Sequence, residues 1–285
     1  MISVVMPVRD AARTIRRQLD ALASQDYRGP WELLVVDSGS RDGTARLVAG
    51  SLHTFAAARL LHVEGRSRNL ASRARNAGSA AGTGPLLVFC DADDVASPGW
   101  LSALAHAAEN TDIVSGRMDA VRLNSERVRS WHEDRTGPHP TLHFLPRVST
   151  AGCAVWRDVL EAVGGFDEEH PGAEDIDFAW RAQLAGYRVT AAGAAVMAYR
   201  YRSGLSAVAL QQFRWGKADA RLYRDFGAAG MDRAPLGEVG RAWTEILLSA
   251  PLHLASRRRR GRWMLRSARR VGRLVGSFQQ RRLFL

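Results

Sequence analysis

Asp91, Asp93 and Asp94 stand within four residues at the end of the apolar run 86–89. Carboxylates this close raise one another's pKa and destabilise the fold unless something positive lies among them. A hard divalent cation is the fitting partner. Mg²⁺ and Mn²⁺ prefer oxygen and usually take one or two carboxylates together with substrate phosphates. Asp-X-Asp at a strand end suits this, because residues i and i+2 present their carboxylates together once the strand bends. The alternative is a solvated acidic turn whose aspartates cap the helix opening at "PGWL". The triplet alone leaves both open. A second acidic pair, Glu174 and Asp175, opens a helical segment, where the dipole favours anions; helix capping is its plainer explanation.

These acids need elements to hold them. The first half of the chain alternates strand-like and helix-like stretches. Strands are expected at 2–8, 31–40, 59–65, 85–91 and 112–123, and helices at 10–25, 41–50, 66–82 and 98–110. Ile15, Leu19 and Leu22 recur at helical spacing, and Pro98 suits a helix start. The strands are continuous apolar runs, which implies a parallel sheet covered by helices on both faces. Ligands in such sheets lie beyond the carboxyl ends of the strands. Arg9-Asp10, Asp37-Ser38 and the aspartate triplet would meet there. Further on, 150–168 runs from strand to short helix to a Gly-Gly turn. Helices are expected over 173–189 and 209–227.

The 285 residues fit one large domain, or one domain with an extension. The net charge of +11 is unevenly spread. Residues 241–285 hold 12 arginines and one acid, Glu245, which is the whole excess; residues 1–240 are balanced. Two cysteines, Cys90 and Cys153, make no disulfide framework. The N-terminus reads at once as a strand rather than a signal peptide. The nearest approach to a membrane span, 246–255, is short and broken by Pro251. A cytoplasmic protein is expected.

Six stretches in order, "SVVMPVRDAARTIRRQLDAL", "LLVVDSGSRDGT", "ARNAG", "LLVFCDADD", "GGFDE" and "AEDIDFAWR", resemble the family 2 glycosyltransferases of GT-A fold across roughly residues 1–225. The resemblance implies a Rossmann-like α/β domain, a mostly parallel sheet flanked by helices, over 1–225, with a basic helical extension over 226–285. It also implies inverting transfer of a sugar from a nucleoside-diphosphate sugar to an acceptor hydroxyl, with Mg²⁺ or Mn²⁺. By matching position, Pro7, Val8 and Arg9 edge the nucleotide pocket, and Asp37 holds the base or its loop. Arg75 lies near the donor, suited to phosphate oxygens. Asp93 touches the metal, and Asp91 the metal or ribose. Asp175 is the base, with Glu174 positioning it or the acceptor. Asp94 caps the next helix, and Asp177 is structural.

The chain departs from the family pattern in two places. Ser38 stands where a second acid or Asn is usual, and Tyr199 and Tyr201 stand where a metal-site histidine is common. For Asp37 the plainer role is that of a turn former, for Arg75 that of a solvated helix face. Phe213, Trp215 and Leu222 are expected to be packing residues, and the acceptor side to draw on 131–150.

The arginines of 241–285 are interleaved with Trp243, Ile246, Leu247, Trp263 and Leu265. Basic amphipathic segments lie on anionic membrane surfaces. The expectation is a peripheral protein on the inner face of the cell membrane, serving a glycan, lipid-linked or small-molecule acceptor in envelope or exopolysaccharide synthesis. Two rival functions stay in view. A nucleotidyltransferase would use a similar sheet, but with a Gly-rich loop after the first strand that "PVRDAART" lacks. Nucleic-acid binding would rest on the arginine-rich tail alone, which has no recognisable motif, so no specific nucleic acid is expected.

Overall fold

The computed structural model describes residues 1–64, 67–132 and 140–285. Eight strands form one sheet: β1 (Ile2–Val8), β2 (Trp31–Asp37), β3 (Ala58–His62), β4 (Leu86–Cys90), β5 (Val95–Ala96), β6 (Ile113–Asp119), β7 (Gly152–Trp156) and β8 (Val189–Ala198). The helices are α1 (Ile15–Ala23), α2 (Thr44–Ser51), α3 (Leu70–Ala81), α4 (Trp100–Ala108), α5 (Glu126–Arg129), α6 (Arg157–Ala162), α7 (Glu174–Leu184), α8 (Leu205–Phe226), α9 (Leu236–Ala255) and α10 (Arg257–Gln280).

The sheet runs in the order β3-β2-β1-β4-β7-β6-β8-β5. β1 to β4 are mutually parallel, and β6 is parallel to β8. β7 runs against both of its neighbours, and β5 against β8. The mostly parallel α/β sheet expected from the continuous apolar runs is therefore present. β4 is buried at every position, which needs cover on both faces. One core lies on the side of α1 and α4 and includes Val4, Leu19, Val88, Trp100 and Leu101; the other includes Val5, Phe89, Cys153, Phe166 and Phe178.

The aspartates sit where this sheet must curl. Only residues 91–94 join β4, in the middle of the ladder, to β5 at its end. Four strand spacings across a flat sheet need roughly 19 Å. Five residue steps reach roughly 17 Å even when fully extended. The far edge must therefore roll back toward the centre, and residues 91–94 turn inside the roll.

β8 has no counterpart among the expected strands. Its sequence, VTAAGAAVMA, is small and nearly free of the β-branched alternation that marks a strand. Pairing with β6 makes it a strand, with a register break after Gly116.

The C-terminal segment is built into the molecule. α8 and α10 touch backbone to backbone. A Cβ on Gly216 would strike the carbonyl of Arg269, and one on Gly272 the carbonyl of Phe213. Beneath this seam Asp219, 1% exposed, receives Arg269 Nη2 at 2.8 Å and Arg273 Nε at 2.8 Å. Phe284 packs with Trp180, Leu222 and Phe226. The expected packing role of Leu222 is met, and Trp215 lies under the Arg269 guanidinium. Among the described residues, no helix is long and apolar enough to cross a membrane. Gly272→Ala is expected to destabilise the fold by about 2 kcal/mol, because overpacking outweighs the roughly 1 kcal/mol that alanine gains in a helix. Urea denaturation measures it, and unchanged or increased stability would show that the seam is loose.

Candidate active site

The β1–α1 and β2–α2 loops are latched together. Asp10, in the left-handed region with φ 49°, accepts from the Arg41 backbone N–H at 2.7 Å. Thr44 Oγ1 accepts from the Ala11 backbone N–H at 2.8 Å. Pro7, Val8 and Arg9 lead into this latch, and the Arg9 side chain is exposed, 3.8 Å from Asp10. Asp37 is buried at the end of β2 and accepts from the Ser40 backbone N–H at 3.1 Å and from the Ser40 hydroxyl. Gly39, at φ 78°, allows this turn. Asp37 thus has the turn-forming contacts considered for it, and the His62 ring also stands 3.5 Å from its carboxylate.

The aspartate turn is held by α1 and by the segment after β8. Gln18, fully buried on α1, donates to the Asp91 carbonyl at 3.1 Å and accepts from the Ala96 N–H at 2.9 Å. Arg200 donates its backbone N–H to Asp94 Oδ1 at 2.7 Å and its Nε–H to the Asp93 carbonyl at 2.9 Å. Asp94 is therefore a staple to the segment after β8, and not the cap of the next helix. That helix, α4, has Gly99 at its N-cap. Asp94 is 1% exposed, and its Oδ2 has no hydrogen-bond partner among the described residues. Burial, then Asp91 and Asp93, push its pKa well above the usual range. Asp93 stands exposed on the rim, yet the enclosing walls and then Asp91 raise its pKa as well.

Arg75 joins the aspartate triplet to the Glu174–Asp175 pair. Its Nη2 donates to Asp91 at 3.0 Å and its Nη1 to Glu174 at 2.8 Å. It is 3% exposed, so the solvated helix face considered for it does not apply. Burial works against its charge, but Asp91 and Glu174 outweigh that and keep it firmly protonated. In return, Arg75 and the Asn69 amide, 2.9 Å from Glu174, hold Glu174 ionised against the upward push of burial.

Asp175 follows at the start of α7. Ala173 before it is left-handed, φ 58°, a backbone strain that sets the helix's direction of entry. Burial and then the neighbouring Glu174 push the Asp175 pKa up to about 6, with Arg147 and Arg75 opposing. A carboxylate tuned near neutrality is suited to accepting a proton. Asp177, expected to be structural, pairs with Arg181 at 2.7 Å. A separate cleft is lined by Asp167, Asp177, Arg181, Arg221 and Asp225. Each of its acids is paired with arginine, so it offers no free carboxylate.

Tyr199 lies beside the aspartates. Burial and then Asp94, Asp91 and Asp93 raise its phenol well above the ordinary value. Tyr201 meets Tyr199 edge-on and stacks on His132 at 3.7 Å. Burial lowers the His132 pKa to about 4. Of the segment 131–150 expected on the acceptor side, 133–139 lie outside the described residues.

The structure thus gathers Arg75, Asp91, Asp93, Asp94, Glu174 and Asp175 at one place. Asp37 ends β2, and Pro7 and Val8, followed by Arg9, end β1. Gln18, Asn69 and Arg200 are additional positioning residues that sequence reasoning missed. Gln18 carried a signal, since a polar residue lies on the stripe of Ile15, Leu19 and Leu22. Arg200 carried none, because its contacts cross 106 residues of chain.

A divalent ion fits these donors. Among the described residues no side chain forms an ion pair with Asp93 or Asp94, and burial and then their own crowding raise their pKa values, which a positive ion relieves. Among the described residues, no three His, Cys, Asp or Glu side chains form a ready-made cage. One or two carboxylates completed by phosphate oxygens is the usual pattern for Mg²⁺ and Mn²⁺.

The profile of the family described as Glycosyl transferase family 2 matches residues 3–162, more than half of the chain. Glycosyltransferase AglE of Haloferax volcanii is 28% identical over 227 residues, covering 78% of this chain and 74% of that one. The pre-mycofactocin glycosyltransferase of Mycobacterium tuberculosis is 30% identical over 217 residues, but the match spans only 43% of its length. Among solved structures, the mannosyltransferase PcManGT from Pyrobaculum calidifontis, in complex with GDP-Man and Mn²⁺, superposes with a TM-score of 0.64 at 22% identity. It covers 96% of this chain and 86% of that one. S. aureus TarS 1-349 in complex with UDP-GlcNAc gives a TM-score of 0.56 at 18% identity, over 99% and 92% of the two chains. These likenesses carry the fold, and the profile match carries the family. With the latched β1–α1 and β2–α2 loops and the aspartate turn in the curl of a mostly parallel sheet, the chain belongs to glycosyl transferase family 2 and is a glycosyltransferase of GT-A fold.

Proposed function

We propose that the protein transfers a glycosyl group, with inversion, from a nucleoside-diphosphate sugar to an acceptor hydroxyl. The observation that carries this reading is the Arg75 bridge. It ties Asp91 on the donor side to Glu174, and leaves Asp175 next to Glu174 as a carboxylate pushed up to about 6. The nucleotide sugars bound by PcManGT and TarS support the donor class.

In this reading the end of β1 at Pro7 and Val8, with Arg9 and Asp37, edges the nucleotide. Asp93, assisted by Asp91, would hold Mg²⁺ or Mn²⁺. That ion, when bound, supplies positive charge against the departing diphosphate. Asp175 accepts the acceptor's proton as its oxygen bonds to the anomeric carbon from the face opposite the leaving group. Glu174, fixed by Arg75 and Asn69, stays ionised and orients the acceptor. Tyr199 keeps its proton beside the aspartates and narrows the space that water would fill. The acceptor is a glycan, a lipid-linked or a small-molecule hydroxyl compound of envelope or exopolysaccharide synthesis, and a peripheral position on the inner face of the membrane suits the lipid-linked case.

Melting-temperature shifts across a set of nucleoside diphosphates and nucleotide sugars, with and without Mn²⁺, test the donor side. At least one nucleotide should stabilise the protein, more so with the ion. Asp93→Asn should lose most of the ion-dependent increment, about 1.4 kcal/mol for each tenfold drop in affinity. If no nucleotide shifts the wild-type protein, the donor assignment fails.

A further inference from the structure

The basic segment 241–285 does two separate jobs. Much of α10 faces inward, through the Gly216–Gly272 seam and through Arg269 and Arg273 on buried Asp219. α9 differs. Its inner side carries Val239 and Ile246, both buried, and the Ile246 carbonyl accepts from Trp263 of α10 at 2.9 Å. About a quarter turn away, Leu236 and Leu247 fall on one line with Trp243 between them, and Leu248 lies a further quarter turn round, opposite the buried side. Leu236, Leu247 and Leu248 are 78%, 68% and 75% exposed. A helix lying on a soluble domain needs one apolar stripe; α9 has a second, open to solvent. Arg241, Arg259, Arg262 and Arg266 are exposed on α9 and the first half of α10, opposed in 241–285 by Glu245 alone. Exposed leucines flanked by arginines match a surface that is apolar within and anionic at its face.

The position of this helix pair bears on the acceptor. Gly261 lies directly against the Trp131 ring. Arg262 donates to the Ser130 carbonyl at 2.8 Å. His132, which follows Trp131, stacks on Tyr201, which meets Tyr199 beside the aspartates. Whatever lies on the α9–α10 elbow therefore approaches the rim of the site.

We infer that the outer face of α9, with Leu247 and Leu248 at its centre, seats in the headgroup region of an anionic phospholipid bilayer while α10 serves as its bracket on the catalytic domain. This rests on the glycosyl-transfer reading only for its purpose, that of bringing the site to a membrane-borne acceptor.

Co-sedimentation of the full-length protein with phosphatidylcholine vesicles, with and without about 30% phosphatidylglycerol, tests it. Wild type should sediment with the anionic vesicles alone, and less at high salt. The double variant Leu247→Glu/Leu248→Glu should lose about tenfold or more of that binding with an unchanged melting temperature. Leu184→Glu, an exposed leucine on α7, should bind as wild type does. Failure of wild type to sediment, or equal sedimentation of the double variant, would overturn the inference. So would a wild-type dimer that the double variant splits, since the face would then belong to a second copy. Nucleotide-induced melting shifts on the same preparations report on the transferase reading separately: they persist if only the membrane inference is wrong.

Discussion

Asp175→Asn is expected to lower glycosyl transfer about 10³-fold, the usual contribution of a positioned base, with nucleoside-diphosphate affinity unchanged. Burial and Glu174 push the Asp175 pKa up to about 6. The base acts only when ionised, so wild-type kcat/KM should rise with pH up to about 6 and level off above it. The variant should lack that limb. The same shift has a consequence for stability. The folded pKa lies above the ordinary 3.8, so between those values the native protein holds a proton that the unfolded chain has released. Stability therefore falls as pH rises through that window and stays lower above about 6. Two pKa units correspond to about 3 kcal/mol at most. Because the charge is shared with Glu174 and Asp175 is partly open to solvent, about 1–2 kcal/mol is expected. Asparagine removes the ionisable group at equal size, so the inactive variant should melt a few degrees above wild type at pH 7.5. Transfer at the wild-type rate would remove Asp175 from the base role. A lowered melting temperature would show that its charge is well compensated in the fold.

Arg75→Met should have the larger effect on stability. The substitution keeps much of the side-chain bulk and removes the cation shared by Asp91 and Glu174, in surroundings where Arg75 is 3% exposed. Breaking a buried ion pair by deleting one partner costs roughly 3–5 kcal/mol, because the other charge is left uncompensated. Here two carboxylates are stranded. Arg75 also opposes the rise in the Asp175 pKa, so the pH–rate limb should move to higher pH. Arg75→Lys is the companion variant. It keeps the charge but lacks the planar fork that reaches both acids at once. It should recover part of the stability while leaving the limb displaced. Urea denaturation and pH–rate profiles read the two effects. A methionine variant as stable as wild type would mean that Asp91 and Glu174 are satisfied by other partners.

The framework was legible in the sequence because it depends on local periodicity. The apolar runs of β1, β2 and β4 and the helical spacing of Ile15, Leu19 and Leu22 report burial directly. β8 was not legible. Its small residues have little β preference of their own, and a place beside β6 in the curled sheet makes them a strand. Asp94 was misread as a helix cap for a related reason. Its distance from the "PGWL" helix was visible in the chain, whereas its bond to Arg200 appears only when β5 and β8 pair.

What the sequence determined by itself was which carboxylates end strands and open helices, because strand termini and helix starts are local events. It also showed that the positive excess lies wholly in residues 241–285. Only the tertiary structure decided how those acids are compensated. Arg75 is 16 residues from Asp91 and 99 from Glu174 along the chain, and no spacing rule connects them. The curl of the sheet and the strained entry into α7 bring the three together. In that low-dielectric setting Arg75 keeps Glu174 charged, and burial together with that charge moves the adjacent Asp175 toward neutrality. The tertiary structure likewise divided the tail, turning Arg269 and Arg273 inward onto Asp219 and leaving the leucines of α9 outside.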